Sequence, residues 1–396
     1  MLASGCATET EEDACPDDEN KVEAGLCGCG VPDGPDSDGD GVADGCDPDR
    51  GACTTAGDCD DGLDCTAESC DDGGFCVRTP GEELCPWPAE LAEDGVNLTD
   101  VDNPDDPEQS DLRRNLSGAV WNPHSRELWL ARNGGPAMVW ALERRDDGWQ
   151  VAEDGGLRKV WTPGDDLSFG DLEAITFADF EEPNTLFGLD ESQSRIREWD
   201  FEGEARDVAG WDLDADMPIP TSWLGPEGLT FVPDRFLEAQ GFRDADGALA
   251  TSRYGTGGLF FVGHQDQGLV YVFDLDRGST DYTFIGTFST AAPETAGLEF
   301  DPSTGLLWVF HGGSDLTLEA TRLSWTEVEG EDGPRRVFDS VVIYSGPNIP
   351  AGGSTNLEGI ALMGIEDCEN GTRSAFVTTD DGGDWSLIEY RGFPCR

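Results

Sequence analysis

From about residue 112 to the C-terminus, short apolar runs alternate with polar residues at period two, and none carries a convincing helical period. Five of these runs share one phrase: Leu116-Ser117-Gly118-Ala119-Val120, Leu172-Glu173-Ala174-Ile175-Thr176, Pro226-Glu227-Gly228-Leu229-Thr230, Ala296-Gly297-Leu298-Glu299-Phe300 and Leu357-Glu358-Gly359-Ile360-Ala361. A second β-rich run follows each: Leu128-Trp129-Leu130, Leu186-Phe187-Gly188, Leu259-Phe260-Phe261-Val262, Leu306-Leu307-Trp308-Val309 and Ala375-Phe376-Val377. The copies recur roughly every 55–70 residues, a little above the usual period of a propeller blade. The pattern predicts an all-β fold, a five-bladed β-propeller over 112–396, with a sixth, degenerate blade as the alternative.

Within this frame, Asn122-Pro123-His124-Ser125 and Asp301-Pro302-Ser303-Thr304-Gly305 read as turns between the first and second strands of their blades. Blade three carries an insertion from Asp234 to about Gly258. Blade five lacks a fourth strand at its C-terminal end, and a strand from about Val96 to Val101 would complete it and close the ring. Residues 87–111, rich in Pro and Asp, therefore read as a linker or as that closing strand.

The N-terminal part is different. From Asp13 to about Pro86 almost no apolar periodicity is present, so this module, 7–86, needs disulfides, metal or both to hold a structure. Eleven of the 13 cysteines lie in the first 85 residues, and the other two are Cys368 and Cys395. Setting Cys6 aside leaves twelve, an even number suited to disulfides in an oxidising compartment, with Cys368–Cys395 pinning the last blade. Zinc is the weaker reading, because the module has no His and Cys27-Gly28-Cys29 is too tight for two ligands of one tetrahedral site.

The formal net charge is -59, a field that repels nucleic acid and anionic lipid head groups and favours divalent cations or basic partners. Within the module, Asp36-Ser37-Asp38-Gly39-Asp40-Gly41-Val42-Ala43-Asp44-Gly45-Cys46-Asp47 has calcium-loop spacing. Asp36, Asp38 and Asp40 stand at positions 1, 3 and 5, Val42 offers its carbonyl at 7, and Asp44 and Asp47 fall at 9 and 12. Asp47 replaces the usual bidentate Glu and no helix pattern flanks the loop, which argues against an EF-hand.

In the propeller, Glu173, Glu227 and Glu358 occupy one repeat-equivalent position on strands that line the channel. Three carboxylates brought together there call for a cation or for protons, and calcium, which accepts six to eight oxygens, fits. Ser117 and Ala296 stand at the same position in blades one and four and leave a gap. A second ring is expected at the ends of the second strands, from Asn133, Asp190, His264, His311 and Asp380. Asp190 and Asp380 would add metal ligands. His264 and His311 are the weak candidates for a general base, against the reading that they cap strand ends.

The run 36–47 resembles a thrombospondin type-3 repeat. The run from Cys53 to Cys85 resembles short Cys-rich repeats of secreted and surface proteins of social bacteria and slime moulds, which reads as a spacer or adhesive stalk. Ala3-Ser4-Gly5-Cys6 resembles a bacterial lipobox, which makes 1–6 a signal remnant and Cys6 a lipidated residue. The ordered motifs Leu-Ser-Gly-x-x-Trp-Asn-Pro, Asp-Leu-Glu-Ala-Ile-Thr, Pro-Glu-Gly-Leu-Thr-Phe and Asn-Leu-Glu-Gly-Ile-Ala resemble the SdiA-regulated, YjiK-like propellers of bacterial envelopes and, more loosely, the esterase-like phytases. The resemblance implies a five-bladed propeller with a calcium site.

The expected function is a calcium-binding, surface-anchored propeller that binds a small molecule or protein, exported and either lipid-anchored in the bacterial cell envelope (outer membrane or cell surface) or secreted, and monomeric, touching membrane only through its lipid. The alternative is a calcium-dependent hydrolase of the phosphoesterase or lactonase kind, although Arg132 and Arg195 are thin provision for many phosphates. No Gly-x-Ser-x-Gly elbow, P-loop, His-Glu-x-x-His or dinucleotide fingerprint occurs. Calorimetric titration of the full-length, oxidised chain tests the loop: Asp38→Ala with Asp40→Ala is expected to remove one calcium-binding event, and unchanged heats would refute the assignment.

Overall fold

The computed structural model describes residues 53–71, 74, 76–89, 95–101, 112, 115–133, 138–145, 148–152, 157–159, 171–178, 184–201, 206–217, 224–313, 316–330, 333–347, 356–379 and 385–395. The calcium-loop residues Asp36, Asp38, Asp40, Val42, Asp44 and Asp47, together with Cys6 and Asp380, lie outside them.

The Cys-rich segment folds as a hairpin of β1 (Thr66–Cys70) and β2 (Cys76–Pro80), tied by Cys53–Cys70, Cys59–Cys76 and Cys65–Cys85. Further on, β3 (Val96–Asn97) joins the propeller.

Five antiparallel sheets follow. Blade one contains β4 (Leu116–Asn122), β5 (Glu127–Arg132) and β6 (Met138–Arg145); its outer strand is split into β7 (Gly148–Val151) and β8 (Leu157–Lys159), both paired with β6. Blade two contains β9 (Leu172–Thr176), β10 (Thr185–Asp190), β11 (Arg195–Asp200) and β12 (Arg206–Asp212). Blade three contains β13 (Pro226–Pro233), β14 (Gly258–His264), β15 (Leu269–Leu275) and β16 (Tyr282–Ser289). Blade four contains β17 (Thr295–Asp301), β18 (Leu306–His311) and a long hairpin, β19 (Thr317–Gly330) and β20 (Gly333–Ser345). Blade five contains β21 (Leu357–Leu362), β22 (Thr372–Thr379) and β23 (Leu387–Pro394), and β3 pairs with β23 as its outermost strand.

The innermost strands close a ring: β4 lies against β9, β9 against β13, β13 against β17, β17 against β21, and β21 against β4. The protein is a five-bladed β-propeller. Its inner strands are buried along their whole length, save Pro233 at the end of β13, which is why they read as near-continuous apolar runs, while the outer strand β12 is mostly half-buried or exposed.

Small residues make the ring possible. A Cβ at Gly118 would lie 2.7 Å from Ala174 Cα, and one at Gly297 would lie 2.7 Å from the Glu358 carbonyl oxygen. A Cβ at Gly359 would overlap the Ser117 carbonyl oxygen, to which Thr378 Oγ1 already donates at 2.6 Å. The Gly or Ala in each copy of the repeat is thus where one inner strand touches the next.

Aromatic pairs fill the five seams between blades: Trp129–Phe177, Phe187–Phe260, Phe236–Phe300, Trp308–Phe393 and Trp121–Phe376. Arg373 adds a buried ion pair with Asp301 across the seam of blades four and five and donates to the Met363 carbonyl at 2.9 Å. Burial opposes ionisation of Asp301, but the Arg373 guanidinium outweighs it and holds the carboxyl below its ordinary range.

Three features depart from the sequence reading. The blade-three insertion contains a helix, α1 (Asp234–Ala239), where no helix was expected. Six residues are too few to be helical alone, and burial of Phe236 and Leu237 supplies the stability. The insertion braces the long hairpin: Gln240 accepts from Leu323 N at 2.8 Å, and Trp325 Nε1 donates to the Arg243 carbonyl at 2.9 Å. Blades three and four also merge, because Ser289 of β16 pairs in parallel with Val337 of β20. Finally, the described Cys-rich segment lies against blade four instead of standing off as a stalk. Cys85 N donates to the Ile343 carbonyl at 2.9 Å, Ser345 N donates to the Cys85 carbonyl at 2.7 Å, and Trp87 packs on Tyr390.

Cys368 and Cys395 form a disulfide across blade five. Four disulfides among the described residues fit an oxidising environment. No helix of the described residues is long and apolar enough to cross a membrane.

Gly359→Ala is expected to destabilise the propeller by about 1–3 kcal/mol through overpacking at the axis. Gly57→Ala, where nothing nearer than 3.8 Å would meet the methyl, is the control. Equal urea midpoints for the two variants would contradict this account of ring closure.

Candidate metal centre in the channel

One backbone irregularity recurs in every inner strand. In β13, Pro226 pairs with His264 and Gly228 with Gly263, so Glu227 is an extra residue without a partner in the ladder. The same register shift isolates Glu173 between Leu172 and Ala174, Ala296 between Thr295 and Gly297, and Glu358 between Leu357 and Gly359. In β4 the shift spans Ser117 and Gly118. A β-bulge bends its strand and re-aims the extra side chain. Five bulges at one level bring Ser117, Glu173, Glu227, Ala296 and Glu358 to equivalent places around the axis.

The three glutamates do converge. Glu173, Glu227 and Glu358 are all buried, and the Glu227 carboxyl is pushed well above its ordinary value. Burial is the main cause, followed by the charges of Glu173, Glu358 and Glu191 and a hydrogen bond with Glu173. Asn133 Nδ2 donates to Glu173 Oε1 at 2.6 Å.

Two further carboxylates belong to the cluster. Oxygens of Asp171, Glu173 and Glu191 lie within 4.8 Å of one another. Asp171 is two residues before Glu173, on the same side of an extended chain. Burial pushes the Asp171 carboxyl up, partly offset by a hydrogen bond from the Ser192 backbone. Glu191 is placed by its backbone, which donates to the Asp171 carbonyl at 3.1 Å, and its carboxylate rests where Gly225 has no side chain. The donors are oxygen throughout, the set that suits a hard cation such as calcium.

The second ring expected from sequence mixes two positions. Arg132, Asp190, His264 and His311 are the last paired residues of their strands, opposite Leu116, Leu172, Pro226 and Thr295. Asn133 and Glu191 are one residue further on, and a step of one turns a strand side chain to the other face. Asp190 accordingly caps its own turn, accepting from Ser192 Oγ at 2.8 Å and Gln193 N at 3.2 Å, with its carboxyl raised chiefly by burial. His264 accepts from Asp266 N at 3.0 Å, and burial lowers its basicity. His311 is turned to β19, with its ring nitrogens 3.0 Å from the Glu294 carbonyl and from Glu319 Oε2. Neither histidine is among the main groups acting on Glu227. Sequence reasoning missed Asp171, which period two from Glu173 would have found. It also missed Glu191, which the bulge in β9 hides.

No family model matches the chain, and no curated protein matches it. Among solved structures, the chain is similar to a glutaminyl cyclase of Myxococcus xanthus, at 11% identity over 70% of this chain and 90% of that one, with a TM-score of 0.39. It is also similar to a periplasmic gluconolactonase of Pseudomonas aeruginosa, at 14% identity over 70% of this chain and 65% of that one, with a TM-score of 0.32. A third is a putative 6-phosphogluconolactonase of Bacteroides uniformis, at 13% identity over 82% and 76%, with a TM-score of 0.33. Likenesses this distant carry no residue role or activity to this chain.

The raised Glu227 carboxyl has a pH consequence. Without divalent cations, the folded state keeps a proton that the unfolded chain releases near its ordinary value of 4.5. The stability this proton gives is complete below that value and is lost as pH rises through the folded-state value. Glu227→Gln removes the dependence, so in chelator its melting temperature is expected to gain on wild type as pH rises above 4.5, where the unfolded chain has released the proton that the fold retains. A difference independent of pH would show that Glu227 is not held in this environment.

Proposed function

We propose that the protein is a calcium-binding, envelope-anchored propeller whose channel site binds a ligand or partner. The observation that carries this reading is the gathering of the buried bulge residues Glu173, Glu227 and Glu358 with the half-buried Asp171 and Glu191, where Glu173, Glu358 and Glu191 all act to repel a charge on Glu227. A divalent cation relieves that repulsion and binds only the folded state. The lipid anchor at Cys6 and the second calcium in the loop 36–47 belong to the same proposal, supported by the lipobox-like run and by the ligand spacing. The protein works as a monomer, and membrane contact is through the lipid.

A second reading, a calcium-dependent hydrolase, is favoured by Ser117 and Ala296, which supply no carboxylate at the bulge position and so leave room for a substrate there. The charge balance narrows its substrate. Five carboxylates exceed the charge of one divalent cation, so a phosphate ester would meet a site that is still negative. A neutral ester or lactone meets no such barrier.

The test uses the full-length chain with Asp38→Ala and Asp40→Ala, so that only the channel responds. Calcium at a hundredfold excess over its Kd is expected to stabilise the fold by about 2.7 kcal/mol, read as a rise in melting temperature. Glu227→Gln should blunt the rise. An absent response, or the same response in Glu227→Gln, would refute the channel site. Turnover of lactones but not phosphoesters would favour the hydrolase reading, and turnover of neither would favour binding.

A further inference from the structure

We infer that Gln265 is a neutral oxygen ligand of the channel cation, the contribution of blade three from a second tier above the bulge glutamates. The inference rests on the proposed cation site.

The tier is defined by one repeated backbone contact. Asn133 N donates to the Asn115 carbonyl at 2.9 Å, Glu191 N to the Asp171 carbonyl at 3.1 Å, and Gln265 N to the Gly225 carbonyl at 2.9 Å. Each donor is the first residue beyond the second strand of its blade, and each acceptor is two residues before the bulge residue. The three positions are therefore equivalent in register. At two of them the side chain is seen to reach the cluster: Asn133 holds Glu173, and Glu191 lies with Asp171 and Glu173. The same register places Gln265 in this tier, on the blade that carries Glu227. Gly225 links them further, since Gln265 is bonded to its carbonyl and Glu191 rests on its bare Cα.

An independent observation points to a ligand. Gln265 is 9% exposed, and its Oε1 is buried with no hydrogen-bond partner among the described residues. A buried amide oxygen without a donor is costly, and native structures rarely leave one unless an ion or water completes it. Beside excess carboxylate, the group that fits is a cation, and an amide carbonyl is an ordinary calcium ligand. In blade four the tier residue is Gly312, and the Glu294 carboxylate fills the space beside it: a Cβ at Gly312 would lie 2.8 Å from Glu294 Oε1 and 3.3 Å from the Ala296 Cβ.

Terbium, a hard cation that substitutes for calcium, reads the site directly. Its luminescence lifetimes in light and heavy water count the water molecules bound to it. The full-length Asp38→Ala plus Asp40→Ala chain is the background. Gln265→Ala is expected to weaken terbium binding about tenfold, the worth of one ligand to a charged centre, and to add one coordinated water. Gln265→Glu keeps the shape, and should restore the water count and tighten binding. If both variants match the background in affinity and water count while Glu227→Gln weakens binding, the inference on Gln265 is overturned and the channel site stands. If Glu227→Gln also binds as the background does, the channel site itself fails.

Discussion

The close approach of five backbones at the axis is the constraint on which this structure depends. Gly118, Ala174, Gly228, Gly297 and Gly359 bring each innermost strand against the next, at distances a larger side chain forbids. A ring that tight has no room for the neighbouring residue in a regular ladder. The bulge answers this by moving one residue out of register and toward the axis. Where that residue is Glu, charge is concentrated in a buried and narrow space. The same packing rule that closes the ring thus creates the electrostatic tension that a cation would relieve.

How much of this was legible in the sequence depends on the scale. The blade count and the glutamate set could be read because the phrase Glu-Gly or Glu-Ala recurs with its flanking apolar residues. The second tier was read one residue off in three blades. A bulge adds a residue to one strand and not to its partner, and hydrophobic pattern alone does not reveal which. Asp190, His264 and His311 were therefore grouped with Asn133, while Glu191 and Gln265 were passed over. The helix in the blade-three insertion was invisible for another reason: Phe236 and Leu237 are helical because of what they pack on, not because of any periodicity.

The Cys-rich segment shows a similar limit. Its composition says that it needs disulfides, and it has them, but composition says nothing about where it rests. The outer strand β20 offers free backbone groups at Ile343 and Ser345, and Cys85 takes both. An edge that would otherwise be open to another chain is covered from within. The long β19–β20 hairpin is braced from one side by the insertion and bridged to β16, which ties blades three and four together. The bulge glutamates come from blades two, three and five, and Ser117 and Ala296 take the equivalent places in blades one and four.

The pairing of β3 with β23 sets an order of events. Val96 meets Glu389 and Asn97 meets Ile388 across almost the whole length of the propeller, the most distant strand pairing among the described residues. Contacts that span so much sequence form late, because loop closure must precede any reward. A nascent or partly exported chain must therefore remain an open fan of blades until its last strand arrives. During that interval β23 exposes an unpaired edge, and the channel carboxylates are not yet confined. The ring gathers its carboxylates only once β23 has paired with β3, so a site built from them exists in the closed ring and not in the open fan.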